Sequence, residues 1–353
     1  VEKHHFTAPI LVIFFGVIIS MITAYSEHDQ SIKISLWAQR SIYFYTFYFV
    51  LHLIKIPINQ IEKILFYAGV VYAFAFLIQY ILYPYSLFDV RMGVERGTVR
   101  IFIPGISLLN LAYFICLKRI FVAENYYNLG WLIFFLVIFL LTGTRSVIAG
   151  PLIVTLLALA FSKGVRSRTA MIGLITLGAI GIVFMFQDII QNLIFVSEEQ
   201  SSNATENIRL KAAEFFLTDF YPNTLAHLTG NGEPHQASSY GVEVQLYKIT
   251  HGYYLSDIGI IGEYIRYGAV FLLGVSILLI KGLTSSVNPK YMYIKHFLML
   301  SIISAIFAST FTSPDGIFVL CCLLYIIDCQ KNINTNAPER KYPVVYFPEI
   351  EEK

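Results

Sequence analysis

The chain has 353 residues, of which 56% are hydrophobic and only 14% charged, and its net charge is +2. Soluble domains carry about 25% charged residues, so the composition excludes an ordinary water-soluble globule. Its polar segments lack basic patches interleaved with aromatic residues, which excludes nucleic acid as a partner. The composition therefore predicts an integral membrane protein built from apolar helices.

Apolar runs long enough to cross a bilayer, with some tilt, recur along the chain. They predict an all-α polytopic bundle of about ten transmembrane helices. The predicted spans are 8–25, 36–54, 64–83, 101–117, 129–143, 146–162, 169–187, 256–280, 293–311 and 314–328. Residues 1–187 then hold spans 1 to 7, 188–255 form one long connection and 256–328 hold spans 8 to 10. The polar segment 329–353 is a tail that we expect to be disordered or surface-bound.

The lysines and arginines predict the orientation of these spans. With ten spans, the connections rich in basic residues all lie on one side of the membrane, together with both termini. We therefore expect both termini in the cytoplasm and the 188–255 connection on the opposite face. The basic residues of these connections are Lys55, Lys63, Lys118, Arg119, Lys163, Arg166, Arg168, Lys281, Lys290 and Lys295.

Several arginines run against this trend. Arg91, Arg96 and Arg100 lie in the outer connection 84–100, Arg145 lies in an outer turn, and Arg266 lies inside a predicted span. A guanidinium near hydrocarbon is costly without a partner, and its planar fork matches phosphate oxygens. These residues predict a site for an anionic head group such as a lipid-linked diphosphate. Interfacial snorkelling with ordinary ion pairs is the simpler alternative.

The long connection 188–255 has its own structural signals. An amphipathic helix is predicted from Thr205 to Phe220, with Arg209 on its polar face, and segment 236–250 is predicted to be strand-like or irregular. The apolar face of that helix would hold Ile208, Ala212, Phe215 and Phe216. Loops of this length between helices usually carry function.

His251 stands where this connection returns to the membrane, beside Tyr253 and Tyr254. A histidine with a pKa near neutrality can accept a proton from a sugar hydroxyl. The alternative is an interfacial histidine bonded to a backbone group.

Two further groups were weighed. Glu27 and Asp29, in the first outer connection, would suit a divalent metal or a general base, although acids in a short polar loop are usually solvated. The four cysteines stand in or beside apolar runs without metal-ligand spacing, which predicts buried apolar side chains and no disulfide framework. The cysteines are Cys116, Cys321, Cys322 and Cys329.

Three stretches together resemble the O-antigen polymerase and O-antigen ligase superfamily of bacterial envelope enzymes, over roughly residues 130–285. They are Leu141-Thr142-Gly143-Thr144-Arg145-Ser146, Asn207-Ile208-Arg209-Leu210 followed by Gly230-Asn231-Gly232, and His251-Gly252-Tyr253-Tyr254-Leu255 followed by Gly259-Ile260-Ile261-Gly262. The chain departs from the family at Gly252, where members often have Asn, and in having fewer predicted spans.

The resemblance implies a metal-independent, inverting glycosyl transfer on the periplasmic face of the bacterial inner membrane, with no cofactor. The donor would be a glycan on undecaprenyl diphosphate. Arg145 and Arg209 would bind the diphosphate leaving group, and His251 would activate the acceptor hydroxyl. We extend the substrate site to Arg91, Arg96, Arg100, Arg266, Tyr253 and Tyr254. Membrane lipid, a chain-length regulator and other envelope polysaccharide proteins are the further partners to expect.

Four functions stay open at this point. The arginine-rich 84–100 segment before Ile101–Gly105 is more similar to polymerases, which join lipid-linked repeat units, than to ligases, which transfer glycan to lipid A–core. A metal-dependent glycosyltransferase would use Glu27 and Asp29. A flippase for lipid-linked glycan would have inverted repeats, broken helices and polar residues at the membrane midplane, and the sequence has no convincing internal repeat.

Overall fold

The computed structural model describes residues 4–95, 98–123, 127–161 and 208–336. The helices of these ranges are α1 (Thr7–His28), α2 (Ile32–Ala38), α3 (Phe47–Ile54), α4 (Ile58–Ile81), α5 (Ile106–Ala123), α6 (Asn128–Leu141), α7 (Arg145–Phe161), α8 (Ile208–Thr218), α9 (Ala226–Thr229), α10 (Ser239–His251), α11 (Ile260–Thr284), α12 (Tyr293–Ala305) and α13 (Pro314–Asn336). Two 3₁₀ helices are Ile42–Thr46 and Pro289–Tyr291, and two strands are β1 (Met92–Glu95) and β2 (Thr98–Ile101). The predicted span 169–187 and Arg96 lie outside the described residues.

Among the described residues, three helices are long and apolar enough to cross a membrane: α1, α4 and α11. On α4, Ile64, Val71 and Ile78 recur every seventh position and are exposed, so they form one apolar stripe on the outside of the bundle. Such a stripe is suited to lipid. The helical, membrane-type fold is thus confirmed in part, and the count of about ten spans stays a prediction.

The predicted span 36–54 is wrong as a continuous helix. Helix α2 ends at Ala38, and a tight turn leads into the first 3₁₀ helix, with the Ile42 amide donating to the Gln39 carbonyl at 2.9 Å. The polar run from Gln39 to Ser41 explains the interruption, because the turn exposes Arg40 instead of burying it in the bundle.

Three other regions differ from the sequence prediction. Connection 84–100 contains an antiparallel hairpin in which Gly93 pairs with Arg100, so the fold is not purely helical. Segment 236–250 is mainly helical, because Ser238 caps α10 by accepting a hydrogen bond from the Gly241 amide at 3.1 Å. The tail begins as a helix, since α13 continues to Asn336 and Gln330 anchors it to the Asn288 amide at 3.0 Å.

Glycines allow α1 and α11 to pack closely. A Cβ atom on Gly16 would lie 2.6 Å from the backbone nitrogen of Phe271, and one on Gly274 would lie 2.9 Å from that of Ile13. Small residues at such crossings let helix backbones approach where lipid provides no hydrophobic drive for association. This pair, with α4, α5 and α13, surrounds the main apolar core. Cys116, Cys321 and Cys322 are buried and Cys329 is partly buried, all as free thiols, which confirms their predicted packing role.

Hydrogen bonds between helix ends define two ends of the bundle. At the Asp328 end, the His5 amide donates to Asp328 at 3.2 Å, and Lys118 and Arg119 lie 3.5 Å from Glu62. At the Glu233 end, Gln30 contacts Glu233 and Arg266 contacts Ser309. Three lysines stand at the first of these ends: Lys55 follows α3, Lys281 lies in the last turn of α11, and Lys290 precedes α12.

Helix α11 is broken at Gly268, whose φ of 73° lies in the left-handed region. The break leaves carbonyl groups of α11 without their helical hydrogen-bond donors. Backbone amides of segment 230–232 donate to these carbonyl groups instead. The Asn231 amide donates to the Ile265 carbonyl at 2.9 Å, and the Gly232 amide donates to the Arg266 carbonyl at 2.7 Å. Irregular backbone inside a membrane-type bundle is stable only when it is satisfied in this way.

Candidate functional site

A cavity of about 460 Å³ opens at the Glu233 end. Its walls come from the turn after α2, the segment that follows Gly232, helix α10 and the loop that leads into α11. The lining combines cations, aromatic rings and carboxamides: Arg40, Glu233, His235, Gln236, Gln245, Lys248, Tyr253, Tyr254, Ser256 and Arg266 among others. Of the predicted substrate-binding residues, Arg266, Tyr253 and Tyr254 lie here.

Gln30 holds the 233–238 segment in place. Its side chain is fully buried, and its Nε2 donates to the Glu233 carbonyl at 2.8 Å. Its Oε1 accepts from the His235 amide at 3.0 Å and from the Ser238 hydroxyl at 2.8 Å. One amide therefore fixes both the cavity wall and the residue that caps α10. Because every polar atom of the Gln30 amide group is bonded, this side chain holds the cavity wall at a defined position.

The buried side chain of Tyr240 also holds the chain segment that forms this wall. Burial, with the nearby Glu233 carboxylate, raises the pKa of Tyr240 well above its usual value, so the hydroxyl keeps its proton. It donates that proton to the Gly232 carbonyl at 3.2 Å. The ring stacks on His28, with centroids 4.2 Å apart, which ties the end of α1 to the segment that clasps α11.

Arg266 is held by the protein itself. Its Nη1 donates to Glu233 Oε2 at 2.8 Å, its Nη2 to Ser309 Oγ at 2.7 Å, and its Nε to the Gly262 carbonyl at 3.0 Å. Tyr267 donates to the same Glu233 oxygen at 2.8 Å. A guanidinium with all three nitrogens engaged shapes the cavity wall, and its charge is already balanced by Glu233.

His251 is exposed at the end of α10, and its ring lies 5.3 Å from the ring of Tyr253, which lines the cavity. His251 itself is not among the lining residues. Its Nδ1 lies 2.7 Å from Thr250 Oγ1, which donates its own proton to the Leu246 carbonyl at 2.8 Å. A hydroxyl has one proton, so the tautomer with the proton on Nδ1 satisfies both contacts of Thr250. That tautomer leaves the Nε2 lone pair facing away from Thr250.

The backbone conformation at position 252 favours glycine. It ends α10 in the left-handed region at φ 70°, and a Cβ atom there would lie 2.7 Å from the side chain of Ile208. Glycine is the residue that suits such a position best. The contact also places the start of α8 beside the end of α10.

Helix α8 confirms most of the predicted amphipathic helix. Ala212 and Phe216 are buried and Phe215 is partly buried, whereas Ile208 is 49% exposed although its tip faces Gly252. Residues 205–207 of the prediction lie outside the described residues. Arg209 is exposed on the polar side, as predicted.

Arg145 and Arg100 lie near each other at a different place. Arg145 begins α7, and Arg100 Nη2 lies 3.5 Å from the Gly143 carbonyl in the turn before it. Ser146 lines a second cavity of about 230 Å³, together with hydroxyl and carboxamide groups of Ser107, Asn110, Ser301, Ser304, Ser309, Thr310 and Ser313. Because Arg266 lines the first cavity and donates to Ser309, it connects the walls of both. Arg91 is exposed, with its guanidinium 5.4 Å from the centre of the Phe102 ring.

Sequence reasoning predicts Arg266 but misses three other basic residues of the first cavity. Arg40 lies in the predicted span 36–54, Lys248 lies in the segment predicted to be strand-like or irregular, and no role is predicted for His235. Lys248 stands one turn before His251 and places its Nζ 5.1 Å from the centre of the Tyr254 ring. The helical spacing from Lys248 to His251 would have paired them, had the caps of α10 been recognised in the sequence.

Glu27 and Asp29 are exposed at the end of α1, and neither belongs to a group of potential metal ligands among the described residues. No protein-family model matches the chain, and no curated protein matches it either.

Proposed function

We propose that the protein is a bacterial inner-membrane glycosyltransferase that polymerises undecaprenyl-diphosphate-linked oligosaccharide repeat units on the periplasmic face. The observation that carries the proposal is the first cavity, where cations and aromatic rings line one space. One of those rings, Tyr253, lies 5.3 Å from the ring of His251. Its volume of about 460 Å³ falls within the range of ligand pockets, roughly 300–1,000 Å³. It would hold the sugars and the diphosphate next to the scissile bond, with the polyprenyl chain in lipid.

The lining suits both parts of such a substrate. Tyr253 and Tyr254 offer ring faces to sugars, and Gln236 and Gln245 offer both donors and acceptors to hydroxyl groups. Lys248 and Arg40 offer charge to the diphosphate. In the transfer, the acceptor hydroxyl attacks the anomeric carbon while the bond to the diphosphate breaks. His251 Nε2 takes the hydroxyl proton, and Lys248 and Arg40 stabilise the negative charge on the leaving group. Arg145 and Arg209, which the resemblance assigns to the diphosphate, stay predictions, because Arg145 begins α7 away from this cavity.

The charge distribution supports the orientation. Lys55, Lys118, Lys281 and Lys290 stand at helix ends on the Asp328 side of the bundle, which by the positive-inside rule is the cytoplasmic side. The Glu233 end with its cavities is then periplasmic. Ten spans with both termini in the cytoplasm are part of the proposal.

The test is complementation of a strain that makes the repeat unit but lacks its polymerase, with the glycan ladder read on a gel. Wild type should restore a ladder, and His251→Ala and Lys248→Ala should leave a single-repeat product at normal expression. Arg209→Ala is tested beside a matched control, Lys211→Ala, because Lys211 is another exposed basic residue on α8. The control variant should keep the ladder. A ladder that survives His251→Ala would refute the catalytic assignment.

A flippase is the second candidate, because the break in α11 at Gly268 is a feature of transporters with discontinuous helices. The same assay separates the functions. A flippase moves repeat units to the periplasmic face without joining them, so the strain that expresses the wild-type protein would show the single-repeat product and no ladder. A ligase would instead restore attachment of glycan to lipid A–core in a strain that lacks that step.

A further inference from the structure

Three potential metal ligands from distant parts of the chain meet at the Asp328 end. His4 precedes α1, His52 lies in α3 and Asp328 lies in α13, and one donor atom of each lies within 4.8 Å of the others. His52 Nε2 lies 3.4 Å from Asp328 Oδ2. The edge of a tetrahedron around Zn²⁺ with bonds near 2.0–2.1 Å is about 3.3 Å, so this pair is already spaced as two ligands of one ion.

The burial of the carboxylate calls for a cation. Asp328 is fully buried and His52 is 9% exposed. Asp328 Oδ2 accepts from the Tyr48 hydroxyl and from the His5 amide at 3.2 Å, while Oδ1 has no hydrogen-bond partner among the described residues. A buried carboxylate oxygen without a partner is expensive, and an ion bound by both oxygens of Asp328 would satisfy Oδ1 while it stays next to His52.

The side chains around Asp328 are arranged as in a metal site that solvent can reach. The rings of His4 and His52 meet edge to face, with centroids 4.1 Å apart, so they do not stack over each other. His4 is exposed, which gives an ion a path from solvent and lets the ring rotate toward it. Tyr48 donates to the ligating carboxylate, as hydrogen-bond donors around metal ligands commonly do.

We propose that His4, His52 and Asp328 bind a divalent transition-metal ion that ties the start of the chain to α3 and α13. Two imidazoles and one carboxylate suit Zn²⁺, Co²⁺ or Fe²⁺ and disfavour Mg²⁺ and Ca²⁺. Water would complete the coordination on the exposed side. The site lies at the opposite end of the bundle from the cavities and does not depend on the proposed glycosyl transfer.

The experiment uses the full chain, purified in detergent with a tag that lacks histidine, stripped with a chelator and titrated with Zn²⁺ and with Co²⁺. Wild type should bind one ion per chain, raise its unfolding temperature and give the visible absorption of low-symmetry Co²⁺. His4→Ala, which changes an exposed side chain, should fold normally and weaken binding at least tenfold. Tyr48→Phe should weaken it by about tenfold.

His5→Ala is the matched control, because His5 is the neighbouring histidine and contributes only its backbone amide to Asp328. It should bind the ion as wild type does. Equal losses in His4→Ala and His5→Ala would indicate adventitious binding to the paired histidines and overturn the proposal. So would wild-type affinity in His4→Ala, the absence of a one-to-one complex in wild type, or an equal response to Mg²⁺.

Discussion

The two ends of the helix bundle bury charge in different ways. At the Asp328 end, Glu62 faces Lys118 and Arg119 at 3.5 Å each, between regular helices. At the Glu233 end, Arg266 meets Glu233 at 2.8 Å beside a broken helix. The tight pair stands where backbone regularity is lost and cavities open, and the loose pairs stand where the helices are continuous. Irregular backbone needs strong local partners, and the same irregularity creates space for a ligand.

Removing Arg266 should have the largest effect on stability. Arg266→Met leaves the Glu233 carboxylate without its cation and Ser309 without its donor, and losing one partner of a buried pair costs about 3–5 kcal/mol. Urea or thermal unfolding of the detergent-solubilised protein measures the loss. The double variant Glu233→Gln with Arg266→Met should lose less than the sum of the single variants. Additive losses would mean that the pair is not coupled.

A substitution at Gly230 should come next. Gly230 has φ 76°, and a Cβ atom there would lie 2.4 Å from the Gly268 nitrogen and 2.5 Å from the Arg266 carbonyl oxygen. Gly230→Ala should therefore cost about 2–4 kcal/mol, from backbone strain and from separation of the clasp from α11. Gly130→Ala is the control, since a Cβ atom there meets nothing within 4 Å. It should be neutral or slightly stabilising.

Glu62→Gln tests the Asp328 end. Glu62 and Lys118 have side chains only 10% and 7% exposed, so the substitution leaves two cations with a weaker acceptor. The longer distances predict a loss of about 2 kcal/mol, as for a hydrogen bond to a charged group. The same unfolding measurement applies. If Glu62→Gln lowers the free energy of unfolding as much as Arg266→Met does, the two ends do not differ in how strongly their ion pairs stabilise the fold.

The smallest of these effects concerns Gly252. A side chain in the left-handed region costs about 1–2 kcal/mol, and Gly252→Ala also presses on Ile208. Gly252→Asn should cost less, because asparagine tolerates this conformation. Activity is the sharper readout, since movement of Gly252 displaces both His251 and the start of α8. Full activity in Gly252→Ala at wild-type expression would contradict the proposed position of His251.

Much of the helical layout was predictable because it depends on local composition. The apolar runs that became α1, α4, α6, α7 and α13 were placed within a few residues of one end or both. A helix satisfies its own backbone in lipid, so length and hydrophobicity suffice to predict it. Arg209, His251 and Tyr253 are predicted site residues that all lie in the predicted connection 188–255, and their roles stay predictions. The break in the predicted span 36–54 and helix α10 were missed, although Arg40 and Ser238 carried the signals.

What the tertiary structure decided depends on contacts between distant residues. Gly268 lies in an apolar run, and only the amides of Asn231 and Gly232, which replace its lost helical bonds, make a break there stable. The meeting of His4, His52 and Asp328 has no spacing that a sequence motif could record, because each ligand comes from a different helix or chain end. Local composition determines which segments form the helices of the bundle. Packing between those segments determines which polar groups meet, because a buried polar group is stable only beside a partner.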